Sequence, residues 1–310
     1  MSSTRHESTS KILLEKFQQL LTGVKMTTSQ TTQPIIRTIP VTTKINYDLL
    51  MQNKAEKIST GNYAKIYKGL WNGEAVALKI IPLNHTRKMT DEEIENEKKI
   101  LKNLSDLNAP NIVKLIGYAK ETNYYCIVME YIPFSLEDHI TDREPFEWSR
   151  RYKVMWGMAN GVNFLHQHKF AHRDIKSANI LIKKENDEAV ICDFGLAEDA
   201  THPSFECSGT AKWAAPEVLT YTIKDPLMAD VFSMGTTLWQ IAAWDMPFKE
   251  WVTFQFIYAM SKERLREKIP EDCPPKIADL IHLTWMQDPA KRPTARDVLV
   301  KIEEAAALKR

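Results

Sequence analysis

The chain has 310 residues, 44% of them hydrophobic and 26% charged, which is enough for one large core or two lobes. Its net charge of +1 gives no basis for a nucleic-acid footprint or for attraction to an anionic membrane surface. No apolar run approaches the roughly 20 residues of a membrane span. The polar stretch Met1 to Lys11 also lacks the apolar core of a secretory signal and the glycine needed for myristoylation.

Residues 1–43 are rich in Ser and Thr. Within them Leu13, Phe17, Leu20 and Val24 fall at helical spacing, and Met26 to Thr43, with Pro34 and Pro40, reads as a linker. This extension is either a tail with one transient helix or a segment that docks a partner or self-associates. Order is expected from Ile45 onward. From Lys57 to Leu83 apolar and polar residues alternate around Asn72-Gly73, a hairpin signal. Helical periodicity covers Asp91 to Leu104, and strands return at Val113 to Tyr118 and Tyr124 to Met129. After Pro133 the pattern is mainly helical: Trp148 to His168, Leu227 to Trp244, Phe254 to Ser261, Pro275 to Met286 and Ala295 to Ala306. A strand-rich first part and a helix-rich second part predict an α+β fold of two lobes with a cleft between them. The division falls at residues 44–132 and 133–307. Cys126, Cys192, Cys207 and Cys273 have no C-x-x-C spacing and read as reduced thiols of a cytoplasmic protein, although four cysteines could also pair in a secreted one.

Three features carry chemistry. Lys79 lies in the strand-like run Ala75 to Ile81, on the face shared with Ala77 and Ile81 and opposite Val76, Leu78 and Ile80. An ammonium there either reaches solvent from an edge strand or has a partner, because burying it unpaired is costly. A partner is available: Glu97 shares one helical face with Ile94, Leu101 and Leu104. The third feature is His172-Arg173-Asp174-Ile175-Lys176-Ser177-Ala178-Asn179, followed across one short hairpin by Asp193-Phe194-Gly195. It brings a candidate base carboxylate together with two oxygen donors suited to Mg²⁺.

These motifs, in this order, resemble those of the eukaryotic protein kinases over roughly residues 45–306, most closely the tyrosine-kinase-like group of Ser/Thr kinases. The resemblance implies a β-rich N-lobe and a helical C-lobe with ATP and Mg²⁺ in the cleft, and protein substrates. It makes Asp174 the base, Lys176 a neutraliser of the transferring phosphoryl charge, and Asn179 and Asp193 the Mg²⁺ ligands. It also makes Glu97 the residue that orients Lys79 onto the phosphates. Ile58, Ser59, Gly61 and Ala64 would form the phosphate lid. Only the middle glycine of the family's G-x-G-x-x-G survives there, so the lid is expected to be stiffer. Ile66, Ala77 and Leu181 would sandwich adenine, Met129 would narrow a back pocket, and Glu130 and Ile132 would belong to the hinge. His172, Phe194, Leu101 and Leu115 match the stack linking the lobes. Asp230 matches the support of the catalytic loop, and Glu217 and Arg292 a buried pair. Lys176 and Thr210 point to Ser/Thr acceptors, whereas Lys212-Trp213 looks more like tyrosine kinases. A tyrosine or dual-specificity kinase is therefore one alternative, and a scaffold without activity, motivated by the altered lid, is another. Cys192 is expected to border the nucleotide site. Either Arg173 pairs with a phosphate on the activation segment between Gly195 and Ala215, with Thr201, Ser204, Ser208 and Thr210 as candidate acceptors, or the segment is ordered without phosphate and Arg173 has a structural role.

Overall fold

The computed structural model describes residues 43–45, 56–60, 64–83, 89–203 and 208–307. The N-terminal helix, Gly61 and Ser204 of the sequence expectations lie outside them. A six-stranded sheet has the order β1-β5-β6-β4-β3-β2, from β1 (Thr43–Lys44), β2 (Glu56–Thr60), β3 (Lys65–Trp71), β4 (Glu74–Pro82), β5 (Leu115–Lys120) and β6 (Tyr124–Glu130). All its pairings are antiparallel except β1 with β5. Helix α1 (Asp91–Asp106) lies between β4 and β5 in sequence. It begins at Asp91 because Thr90 and Glu93 close a reciprocal capping box.

The two faces of β4 feed two different cores. Val76, Leu78 and Ile80 pack with Ile45, Ala119, Cys126 and Val128 on the outer face. Ile81 joins Ile127, Met129, Leu115 and the buried stripe of α1 in the main core, which runs on into the C-lobe. Strand β5 starts two residues later than the periodicity indicates. Val113 donates instead to the Ile191 carbonyl, and Ile112 bridges to Ile191, so this stretch is claimed by the C-lobe hairpin.

The C-lobe contains β7 (Phe134–Ser135), α2 (Leu136–Thr141), α3 (Trp148–Gln167), β8 (Phe170–Ala171), the hairpin β9 (Ile180–Ile182) and β10 (Ala189–Ile191), and β11 (Glu198–Asp199). After these come α4 (Pro216–Leu219), α5 (Pro226–Ala243), α6 (Thr253–Tyr258), α7 (Pro275–Thr284) and α8 (Ala295–Ala307). Helix α5 is buried along most of its length, as its apolar circumference requires. Helix α6 ends at Tyr258, and the expected helical run continues as a π turn over Ala259–Glu263 that stops at left-handed Arg264. Helices α2 and α4 are too short for periodicity to reveal. The first is held by a Ser135–Asp138 capping box and the second starts with Pro216 in its first turn.

Candidate active site

Strand register carries Lys79 into the cleft. It opposes Ile66 on β3 and Ile127 on β6, and Ala77 opposes Lys68 and Met129. From there its Nζ donates to Glu97 Oε1 at 2.6 Å and to Asp193 Oδ1 at 2.8 Å. Both members of the Lys79–Glu97 pair are buried, at 7% and 1% exposure. Burial works to neutralise Lys79, but Asp193 and Glu97 outweigh it and hold the ammonium above the ordinary lysine range. Burial raises the Glu97 carboxyl, with Lys79 opposing. The Lys79 charge lowers the Asp193 carboxyl to about 2, against the effect of burial.

The loop from His172 to Asn179 is hung from Asp230 on α5, which accepts the backbone N–H groups of His172 at 2.7 Å and Arg173 at 2.8 Å. His166, on α3, lies 3.2 Å from the same carboxylate. Arg173 turns the chain in the left-handed region, at φ +67°. Beyond this turn Asp174 gathers three partners. Lys176 Nζ donates to its Oδ2 at 2.6 Å, Asn179 Nδ2 to the same oxygen at 3.0 Å, and the Thr210 hydroxyl to its Oδ1 at 2.8 Å. Lys176 Nζ also donates to Thr210 Oγ1 at 2.7 Å, which closes the ring. Gly209 makes this approach feasible: its φ is +100°, and a Cβ there would sit 2.5 Å from the Arg173 carbonyl. The loop is braced from beneath by Ser177, which donates to Glu137 and accepts from Gln240, while Gln240 accepts from Trp213.

The β9–β10 hairpin returns the chain so that Cys192 N donates to the Asn179 carbonyl at 3.0 Å, which brings Asp193 beside Asn179. Asp193 also has positive φ, +62°, a conformation Asp tolerates better than most residues. The donor set fits Mg²⁺, a hard ion that binds few protein groups and keeps its other positions for water and phosphate. Asp193 is an ionised carboxylate whose side chain is 48% exposed. Asn179 spends its N–H₂ on Asp174, so its acceptor is the amide oxygen. Among the described residues no cluster of three or more His, Cys, Asp or Glu offers an alternative metal cage.

The residues assigned to nucleotide binding are spread along the cleft. Ile66, Ala77 and Leu181 are half-buried, Met129 and Ile132 are buried, and Ala64 is buried just before β3. Ile58 is exposed and occupies a bulge where the β2–β3 register shifts, with exposed Ser59 next to it. Glu130 spends its backbone N–H on the Lys114 carbonyl and its carboxylate on the Lys114 N–H. Any adenine contact made by its backbone therefore falls to its carbonyl. Cys192 is next to Asp193, and burial, aided by the Asp193 charge, raises its thiol well above the ordinary range, which disfavours the reactive thiolate.

His172 and Phe194 pack edge to face at 5.0 Å, and Glu217 meets Arg292 as a buried bidentate pair. The Arg173 side chain bonds Glu198 of the activation segment at 2.6 Å. Asn96, beside Glu97, donates to the Ala197 carbonyl at 3.1 Å. Asn96, Glu198, His166 and Gln240 were not singled out from sequence. Gln240 carried a signal, a polar residue within an apolar helix. Asn96 and Glu198 carried none, because their partners are about 100 and 25 residues away.

The family model described as "Protein kinase domain" matches residues 52–301. The chain is 30% identical over 254 residues to serine/threonine-protein kinase STY46 of Arabidopsis thaliana, covering 81% of this chain and 43% of the relative. It is 34% identical over 255 residues to the probable serine/threonine-protein kinase drkA of Dictyostelium discoideum, covering 80% of this chain and 38% of that one. Serine/threonine/tyrosine-protein kinase HT1 of Arabidopsis thaliana is 30% identical over 259 residues, with 80% of this chain and 65% of the relative aligned. The chain thus spans less than half the length of the first two relatives. With a two-lobed fold, a buried Lys–Glu pair and the family match in agreement, the chain belongs to the eukaryotic protein kinase family and resembles its tyrosine-kinase-like group.

Proposed function

We propose that this protein kinase transfers the γ-phosphoryl group of ATP to Ser and Thr hydroxyls of protein substrates, as part of cytoplasmic signalling. The observation that carries the proposal is the ring of Asp174, Lys176 and Thr210. It presents one carboxylate to an incoming hydroxyl and one ammonium to the phosphoryl group. Asp174 accepts or orients the hydroxyl proton. Lys176 and Lys79 neutralise charge that builds on the phosphoryl oxygens, and Glu97 holds Lys79 in place. Ile66, Ala77, Leu181 and the backbone at Glu130 to Ile132 position the adenine, while Ile58, Ser59, Gly61 and Ala64 cover the phosphates. Mg²⁺, held by Asn179 and Asp193, would supply positive charge to the phosphate oxygens.

The kinase domain is taken as residues 44–307, with residues 1–43 either a tail with one transient helix or a segment for docking or self-association. Cys126 and Cys192, which form no disulfide among the described residues, fit a reducing compartment. Among the described residues no helix is long and apolar enough to cross a membrane. Dual specificity is the second reading, favoured by Lys212-Trp213 and by the printed name of one relative.

Radiolabel transfer to a randomised peptide pool, followed by phosphoamino-acid analysis, tests both readings. Label on Ser and Thr alone is expected, and label on Tyr would favour the second. Asp174→Asn should lower turnover by about two to four powers of ten while ATP still binds. Wild-type turnover in that variant would remove Asp174 from the mechanism. No transfer by the intact chain, with or without activating treatment, would favour the scaffold.

A further inference from the structure

We propose that Glu198 and Asn96 are positioning residues that hold the activation segment in its working arrangement without phosphorylation, Glu198 standing where a segment phosphate would otherwise bind Arg173. The inference rests on the phosphotransfer reading above.

Arg173 sits directly before the base, so an anion on its guanidinium ties the activation segment to the catalytic loop. That anion is already part of the chain. Glu198 Oε2 lies 2.6 Å from Arg173 Nη1, with the two side chains only 13% and 12% exposed. Charge-assisted bonds of this kind, shielded from water, are the stronger class of hydrogen bond. The neighbouring residue is fixed from the other lobe, where Asn96 donates to the Ala197 carbonyl. Asn96 precedes Glu97 on α1, so the same helix turn that holds Lys79 also holds the segment. Backbone pairing completes the clasp. Glu198 and Asp199 pair with Ala171 and Phe170, and Ala200 N donates to the Lys169 carbonyl at 2.7 Å.

The described hydroxyls do not compete for Arg173. Thr210 is committed to Asp174 and Lys176. Thr201 is exposed and bonds the Asp199 carboxylate. The Ser208 hydroxyl is buried, with no hydrogen-bond partner among the described residues, so a modifying enzyme could not reach it in this arrangement. A phosphate directed at Arg173 would lie beside the Glu198 carboxylate, which like-charge repulsion opposes.

The test uses the full chain, treated with phosphatase and shown by mass spectrometry to carry no phosphate between Asp193 and Glu217 at the start and end of the assay. Steady-state transfer to a randomised Ser/Thr peptide pool is measured for wild type, Glu198→Gln, Glu198→Asp and Asn96→Ala. Phosphate-free wild type should retain the activity of untreated protein. Glu198→Gln keeps the size and loses the charge, and should lower kcat/KM for peptide about tenfold. Its KM for ATP and its melting temperature should stay near wild type, and Glu198→Asp should recover part of the loss. Asn96→Ala should lower kcat and speed amide exchange at residues 197–200. A role confined to stability would instead lower the melting temperature without this split. That result, or wild-type kinetics in Glu198→Gln, would overturn the proposal. Activity confined to phosphorylated protein would also overturn it while leaving the kinase reading intact. Failure of transfer in every form would end both.

Discussion

Two of the buried ion pairs among the described residues, Lys79–Glu97 in the N-lobe and Glu217–Arg292 in the C-lobe, are built differently. In the C-lobe Arg292 meets Glu217 through two parallel bonds, at 2.6 and 2.9 Å, and also donates to the carbonyls of Met286 and Met228. Its donors are saturated by fixed acceptors, which is how a buried guanidinium offsets its desolvation. In the N-lobe a single ammonium, Lys79, is shared between Glu97 and Asp193, which come from different lobes. A lysine is a point charge with rotatable donors, so it can exchange one carboxylate for a phosphate oxygen. The saturated pair is suited to holding the fold, and the shared pair to changing partners during turnover.

This contrast breaks most sharply under substitution of the cations. Lys79→Met should lower turnover by about two to three powers of ten. The melting temperature should change little, because burial raises the Glu97 carboxyl and the loss of Lys79 removes what opposes that, so Glu97 can take up a proton. Steady-state kinetics and thermal melting on one sample check both halves, and a collapse of the fold would make the N-lobe pair structural as well. Arg292→Ala should do the reverse. It strands Glu217 and two carbonyls and should cost about 3–5 kcal/mol in a denaturant titration, with turnover per folded molecule falling far less.

Asp193→Ala sharpens the comparison further, since Asp193 is the partner that the C-lobe pair lacks. Calorimetry should find Mg²⁺-dependent ATP affinity largely gone, while metal-free nucleotide binding persists. Unchanged Mg·ATP affinity would take Asp193 out of the metal site. The smallest effect is in pH. The Asp193 carboxyl is depressed from 3.8 to about 2 in the folded state. Its contribution is therefore present above about pH 4 and is lost as pH falls toward 2. With the side chain 48% exposed, solvent screening limits this to about 1 kcal/mol. Asp193→Asn should flatten the acid slope of stability by that amount, and an unaltered slope would mean that Lys79 does not hold Asp193 ionised.

Local pattern made much of the molecule legible before any coordinates. The alternation of β4 predicted which residues face away from Lys79, and the two sheet faces follow it. The 3.6-residue period located α1, α3, α5, α7 and α8 to within a few residues. Lys79 and Glu97 were readable as partners because each was a charge in an apolar stripe, and apolar stripes point inward. Short elements were not readable. Helix α4 has only four residues, and β1 and β11 have two each. Over such lengths no periodicity can develop, and their existence depends on what they pair with. The late start of β5 has the same origin, since Ile112 and Val113 answer to Ile191 across the lobe boundary.

The sequence by itself therefore determined which residues carry charge into apolar surroundings, how the helices and strands alternate, and which chemistry the motifs can supply. Tertiary structure alone decided which acceptor each of these donors takes: Arg173 meets Glu198, Asn96 reaches Ala197, and Gly209 brings Thr210 to Asp174. The reason is physical. Burial is imposed by a residue's own neighbours along the chain, so periodicity encodes it. A hydrogen bond requires two groups within about 3 Å, and when they are tens of residues apart only the packed fold sets that distance.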